Sequence, residues 1–349
     1  VESRGLGDVY KRQTLYNGNK RLKTIQQEKL NNQVAELDVA TSENNIQESI
    51  AQVYIQILYA AESVKVNEST LQVSIAQRDR GQELLNAGSI AKSDFAQLEA
   101  QVSTDRYQLV TAQATLEDYK LQLKQLLELD GENEMNIYLP ALSDENVLAP
   151  LPTKKDVYIR ALSLRPEIEA SKLNVEASEL GIDIAKSGYF PTISLSAGIG
   201  TNHTSGSDFT FGEQVKNGWN NSIGLSVSVP IFNNRQTKSA VQKAKLQYET
   251  SMLSLLDEQK TLYKTIEGLW LDANSAQQRY AAANEKLKST QISYELISEQ
   301  FNLGMKNTIE LLTEKNNLLQ AQQEQLQAKY MAILNMQLLK FYQGDQLAI

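Results

Sequence analysis

The chain has 349 residues, 41% hydrophobic and 22% charged, with no cysteine, a single histidine and a net charge of −8. The cysteine count removes disulfides, thiolate zinc sites and cysteine nucleophiles, and one histidine leaves no histidine-based metal site or triad. A pI near 5.0 argues against nucleic acid, and a mean hydropathy of −0.39 without an apolar run approaching about 18 residues excludes a transmembrane helix; no enzymatic activity, cofactor or metal is expected.

Residues 1–13 (VESRGLGDVYKRQ) show no alternation of apolar and polar residues. They are read as a non-native or divergent terminus of an N-terminally truncated chain, with a strand end only at about Thr14–Tyr16. From about Thr14 to Leu129 the composition turns to Gln, Leu, Ala, Glu and Lys, with apolar residues at spacings of three and four, as at Val53, Ile57 and Ala60. No proline falls between residues 1 and 139 or between 231 and 349. Proline interrupts helices, so its absence permits long uninterrupted ones. Residues 130–187 are mixed: a proline-containing loop (LPALSDENVLAPLPT), then amphipathic helices over about Lys154–Leu164 and Pro166–Lys186. Pro166 suits a first helical turn, where its missing N–H is not needed.

The period then changes to two. Ile193, Leu195, Ala197 and Ile199 alternate with small polar residues, as do Ile223, Leu225, Val227, Val229 and Ile231. Tyr189, Phe190, Phe209, Phe211, Trp219 and Phe232 sit at the ends of these runs, where transmembrane barrel strands carry aromatics. A hairpin of a soluble sandwich fits the alternation nearly as well. His203 falls in the polar loop between the runs, as an exposed residue. Residues 234–343 return to the helical texture, with one helix from about Asn234 to Glu299, roughly 100 Å long.

The two helical tracts are copies. At an offset of 216 positions, LYNGNKRLKTIQQEKL from Leu15 aligns with IFNNRQTKSAVQKAKL from Ile231. Without a gap, the same offset pairs Leu37 with Leu253, Tyr54 with Trp270, Leu71 with Leu287, Glu83 with Glu299 and Gly88 with Gly304. The organisation is therefore a first repeat over 14–129, a middle segment over 130–187 and a second repeat over 188–345. An intact pair of repeats contributes four strands. Four cannot close a membrane barrel, but three chains pool 12 strands and a hollow cylinder of helices.

The repeated unit, the RPEI segment at Arg165–Ile168, the GYFPTISLSAGIG and SVSVPIFNN strands and the FNLGMKNTIELL turn together resemble the TolC family of outer-membrane efflux channels, over about residues 14–345. The resemblance implies a mainly α fold with a small β membrane part. As a homotrimer it makes a 12-stranded β-barrel in the outer membrane on an α-helical periplasmic barrel, with residues 130–187 as an equatorial belt. It implies a passive exit duct for small molecules in a tripartite efflux or type I secretion system. The partners are a periplasmic adaptor (membrane fusion protein) and an inner-membrane transporter. The alternative is a soluble coiled-coil scaffold or adaptor protein capped by a small hairpin.

The resemblance implies that each Gly-centred turn forms a periplasmic tip. Leu85, Ala87, Gly88 and Ser89 in the first, with Leu303, Gly304 and Met305 in the second, are the expected adaptor contacts, although the glycines also serve simply to turn the chain. The resemblance maps a closing network and constriction onto Asp94, Phe301, Lys306 and Glu310, with a Lys306–Asp94 contact and a ring of three Glu310 carboxylates that attracts cations. Thr313 stands where a second ring carboxylate occurs in the family, and Phe301 lacks the hydroxyl of a family tyrosine. Asp94 and Glu310 fit equally as acids in first helical turns. Tyr54 and Trp270 are read as packing between helices.

Overall fold

The computed structural model describes residues 3–129, 137–138, 147–206 and 208–347, with backbone alone for 3–8. Its elements are β1 (Ser3–Asn17), α1 (Lys20–Asn86), α2 (Lys92–Leu126), α3 (Lys154–Leu164), α4 (Pro166–Lys186), β2 (Thr192–Thr204), α5 (Phe211–Asn217), β3 (Asn220–Ser228), α6 (Gln236–Asn302) and α7 (Thr308–Tyr342). The proline-free tracts become α1 and α6, each of 67 residues, and α2 and α7, each of 35. At 1.5 Å per residue α1 and α6 are each roughly 100 Å long. α3 starts where the Thr153 hydroxyl accepts the Asp156 N–H at 3.3 Å and stops at Arg165. Pro166 forbids the helical conformation before it, so Arg165 is extended (φ −74°, ψ 125°). The loop expected over 139–153 lies partly outside the described residues, which resume at Val147.

The four long helices share one offset: α1 and α6, like α2 and α7, begin and end 216 positions apart. The backbone keeps the same offset. Gly18 and Asn234, Asn19 and Arg235, Gly88 and Gly304, and Glu128 and Gly344 all have positive φ. At Gly18 (φ 65°) an added Cβ would also lie 2.7 Å from Phe190 Cβ, so glycine is required there twice over.

The sheet differs from the expected pattern. β1 runs over Ser3–Asn17, not only about Thr14–Tyr16, and pairs antiparallel with β2, which pairs antiparallel with β3. Its sequence lacks the period of two, but the ladder is made by main-chain groups, which the free edge of β2 satisfies for any side chain. Register shifts at Gly5/Gly7 and Thr14/Tyr16 absorb the misfit. One face carries Ile193, Leu195, Ala197 and Ile199 of β2 opposite Val227, Leu225, Ile223 and Asn221 of β3. On β1 that face continues through Val9, Lys11, Gln13 and Tyr16, opposite Ile199, Ala197, Leu195 and Ile193. β3 ends at Ser228, two residues before Pro230. His203 is not a loop residue: it lies on β2, half-buried, its ring edge-on to Phe211 at 5.3 Å.

Two compact units cut across the repeats, because each long helix contributes to both. Val1–Val39 with Pro166–Gln259 holds the sheet and α4, tied by the Lys23–Asp183 ion pair (3.3 Å) and by the Gln27 amide donating to the Ala177 carbonyl (2.8 Å). Ala40–Arg165 with Lys260–Ile349 holds the main apolar cluster, in which Ile55 and Leu58 of α1 meet Tyr280 of α6 and Leu326, Tyr330 and Leu338 of α7.

Candidate functional site

The two Gly-centred turns are closed by the same hydrogen bonds. In the first, the amides of Ala87, Gly88 and Ser89 donate to the carbonyls of Glu83, Leu85 and Leu84 at 3.0, 3.0 and 2.8 Å. In the second, Leu303, Gly304 and Met305 donate to Glu299, Phe301 and Gln300 at 3.1, 2.9 and 2.9 Å. This closure needs a left-handed residue just past the helix, and Gly88 and Gly304 both have φ 74°. An added Cβ at either would meet nothing within 4 Å, so within the chain the glycines serve the backbone angle and not a close neighbour. Ala87 and Ser89 are exposed and Leu85 is half-buried, while Leu303 (73%) and Met305 (64%) project into solvent.

The acids beyond the turns cap the helices that follow. The Asn307 side-chain oxygen accepts the Glu310 N–H at 2.9 Å, and the Glu310 carboxylate accepts the Asn307 N–H at 3.2 Å. Asp94, at the matching position of α2, accepts the Ala91 N–H at 3.3 Å. Both are thus acids of a first turn, where backbone N–H groups favour negative charge. Within the chain Lys306 does not reach Asp94. It donates to Glu310, four residues further along the chain. The Lys306 ammonium, and after it the Asn307 amide, hold the Glu310 carboxyl below the usual glutamate range. Phe301 is buried, and the Thr313 hydroxyl is turned back onto the Ile309 carbonyl at 2.7 Å.

A second set of charges lies on the same helices and is not apparent from composition. Lys315 of α7, Asp105 of α2 and Ser74 of α1 are 3%, 1% and 2% exposed. Lys315 donates to both partners, Ser74 donates to Asp105, and the Gln101 amide donates to the other Asp105 oxygen at 2.9 Å. Burial lowers the Lys315 pKa while Asp105 pulls it back up. The signal was in the spacing: Lys315 stands between Leu311 and Leu318, and Asp105 follows Leu98 and Val102, each charge on an apolar stripe.

Tyr54 and Trp270 do more than pack between helices. The Tyr54 hydroxyl donates to the Tyr138 carbonyl (2.7 Å) and the Trp270 indole to the Pro152 carbonyl (3.0 Å). Gln277 donates to Val147 and Ala149, both at 2.8 Å, so the segment before α3 is stitched to α6 through its backbone. Lys154 adds an ion pair to Glu267 (3.0 Å) and lies 4.8 Å from the Trp270 ring centroid.

With this geometry in hand, residues 157–344 match the family described as outer membrane efflux protein. The outer membrane protein TolC of Escherichia coli K12 is 23% identical over 311 residues, which is 86% of this chain and 62% of that protein. The outer membrane efflux protein BepC of Brucella suis is 24% identical over 290 residues, 82% of this chain and 60% of BepC. The chain thus spans about three fifths of the length of these curated relatives. Among solved structures, the CusC transmembrane channel superposes with a TM-score of 0.83 at 18% identity, covering 97% of this chain and 77% of CusC.

Proposed function

Because the chain belongs to the outer membrane efflux protein family, we propose that it is the passive outer-membrane exit duct of a tripartite efflux or type I secretion system. It resides in the outer membrane of a Gram-negative bacterium. As a homotrimer it docks a periplasmic adaptor and an inner-membrane pump, and it passes small molecules such as drugs or metabolites.

The observation that carries this reading is the duplication itself. Two hairpins of equal length end on two identical turns, and the same repeat supplies a sheet with one apolar face. β1 and β3 are both antiparallel to β2, so they are parallel to each other. Joining β3 of one protomer to β1 of the next would put a parallel pair into an antiparallel barrel. A fourth strand, the first repeat's counterpart of β2, restores the alternation and brings three protomers to 12 strands. The test is assembly: the full-length protein purifies as a detergent-dependent trimer that conducts in planar bilayers. A monodisperse monomer stable without detergent rejects the duct in favour of a soluble scaffold.

The constriction is proposed at Glu310, with Lys306, Asp94 and Phe301 around it, and the adaptor contacts at both tips. Each Glu310 keeps Lys306 beside it, so the ring is one of ion pairs and its cation preference is partly masked. Lys306→Ala is expected to raise both single-channel conductance and cation selectivity. Asp94→Ala with Glu310→Ala also raises conductance but shifts selectivity toward anions, since Lys306 remains. Reversal potentials in a salt gradient separate these signs, and no change in any variant removes the four residues from the constriction. The lowered Glu310 pKa keeps its charge and capping bonds throughout neutral and mildly acidic pH. They are lost only as pH falls below the ordinary glutamate value of about 4.3, so selectivity is expected to be flat above it.

A further inference from the structure

We infer that the groove between α6 and α7 receives Tyr107 of a second copy of this chain, and that an exchange of large and small side chains makes this groove accept a first-repeat helix only. The inference rests on the reading of the duct as a closed ring of identical protomers, and it names a contact that closes the ring.

The first repeat shows how such a groove is filled. Within the chain, α7 lays Leu319, Gln323, Leu326 and Tyr330 against α1 and α2, the first two half-buried and the last two buried. The Tyr59 and Ser63 hydroxyls both donate to the Gln323 side-chain oxygen, at 3.4 and 3.1 Å, and the Tyr59 ring stands edge-on to Tyr330 at 6.5 Å. Beside Leu319 and Gln323, a space of about 350 Å³ remains, lined by Ser63, Asn67, Gln108, Thr111 and Ala112. The second repeat has the groove without the occupant. Arg279, Ala283, Glu324, Gln327 and Ala328 are the counterparts of those five residues, and with Ser275 all of them line one cavity of about 520 Å³ between α6 and α7. The counterparts of Leu319, Gln323, Leu326 and Tyr330 are Ser103, Tyr107, Val110 and Ala114 on α2. All four are exposed, Tyr107 at 73% and Val110 at 58%. Around a closed ring the repeats alternate, so the contact that α7 makes inside the chain recurs between chains, with α2 of one copy against α6 and α7 of the next.

The two joints carry the same volume from opposite sides. Within the chain the groove supplies the ring and the helix the smaller residue, Tyr59 against Gln323. Ser275 stands at the position of Tyr59 and Tyr107 at that of Gln323, so between chains the groove is small and the helix supplies the ring. Arg279 replaces Ser63 beside it, and a guanidinium over a tyrosine face is a favourable contact. The wrong pairings fail by the same measure. A second-repeat helix in the groove between α6 and α7 sets Gln323 opposite Ser275 and leaves a void. A first-repeat helix in the groove between α1 and α2 sets Tyr107 against Tyr59 and overfills it. The exchange thus dictates that the repeats alternate. The contact falls midway along α2, well away from the turns at Gly88 and Gly304.

The chain has no cysteine, so introduced pairs report on their own contact. In the full-length protein, Tyr107→Cys with Arg279→Cys, the counterparts of Gln323 and Ser63, is expected to oxidise into a covalent trimer on a non-reducing gel. Tyr107→Cys with Ser63→Cys, which joins two first-repeat positions, is expected to give no link between chains. Tyr107→Gln and Ser275→Tyr should each lower by several degrees the temperature at which the detergent-solubilised trimer dissociates. Together they copy the Gln323–Tyr59 pair and should recover most of the loss, which two independent surface changes would not do. A conducting trimer that forms no Tyr107→Cys/Arg279→Cys link, that links Tyr107→Cys to Ser63→Cys between chains, or whose double variant is no more stable than the single ones overturns the Tyr107 contact and leaves the duct reading in place. A full-length protein that stays monomeric overturns both.

Discussion

Ile223→Arg is expected to abolish the assembled trimer, while Ser222→Arg, its neighbour in sequence, leaves it assembled. Ile223 is 85% exposed and sits opposite Ala197, in the middle of the face shared by Leu195, Leu225, Ile193 and Val227. Ser222 sits opposite Gly198 on the other face, where small polar residues predominate. In a barrel the first face meets lipid and the second the lumen, and an arginine near the bilayer midplane costs about 2–4 kcal/mol. A trimer incurs that penalty three times over, against a native stability of only about 5–15 kcal/mol for a typical domain. Outer-membrane fractionation and sizing in detergent give the readout. Equal tolerance of both substitutions would mean that no lipid meets this sheet. The same logic applies to β1, where Lys11 opposes Ala197 and Gln13 opposes Leu195 on the apolar face. Lys11→Val should therefore stabilise the assembled sheet, in the opposite direction to Ile223→Arg.

What could be read from the sequence follows from which interactions leave a periodic trace. Helix length was legible because proline is a local veto, and the tracts that lack it fold as α1, α2, α6 and α7. β2 and β3 were legible because one face is apolar. β1 was not: its pairing is made by backbone groups and leaves no pattern in side chains such as Lys11 and Gln13. The capping roles of Asp94 and Glu310 could be read from their place in first turns, and their partners only from coordinates, since Lys306 turned to its own helix. Tyr54 and Trp270 aligned with each other in the repeat, yet the carbonyls they bind belong to a segment with no repeat partner. Lys315 and Asp105 were the recoverable miss. A charge at an apolar position on each of two helices predicts a buried pair, and composition averages it away among the 34 basic and 42 acidic residues.

Arg165→Ala is expected to lower the stability of the helical unit by about 3–5 kcal/mol, as breaking a buried ion pair does. Arg165 and Glu48 are 7% and 18% exposed, with the guanidinium 3.3 Å from the carboxylate. The same guanidinium lies 4.3 Å from the Tyr342 ring centroid and 5.5 Å from that of Phe341, at the end of α7. A planar cation can bond a carboxylate through its edge while stacking on an aromatic through its face. Arg165→Lys should therefore recover the charge and not the stacking, and fall between the alanine variant and the wild type. Thermal melts of the detergent-solubilised trimer measure the loss, and an unchanged melting temperature for Arg165→Ala would show that the pair contributes nothing net. A Glu48→Gln, Tyr342→Ala cycle divides the loss between bond and stack. Conductance gives a second readout. Glu310 and Tyr342 are 32 residues apart on α7, about 48 Å of helix, so Arg165→Ala should lower the melting temperature and leave the closed channel closed, and a leak in that variant would show that the two ends of the helix act together.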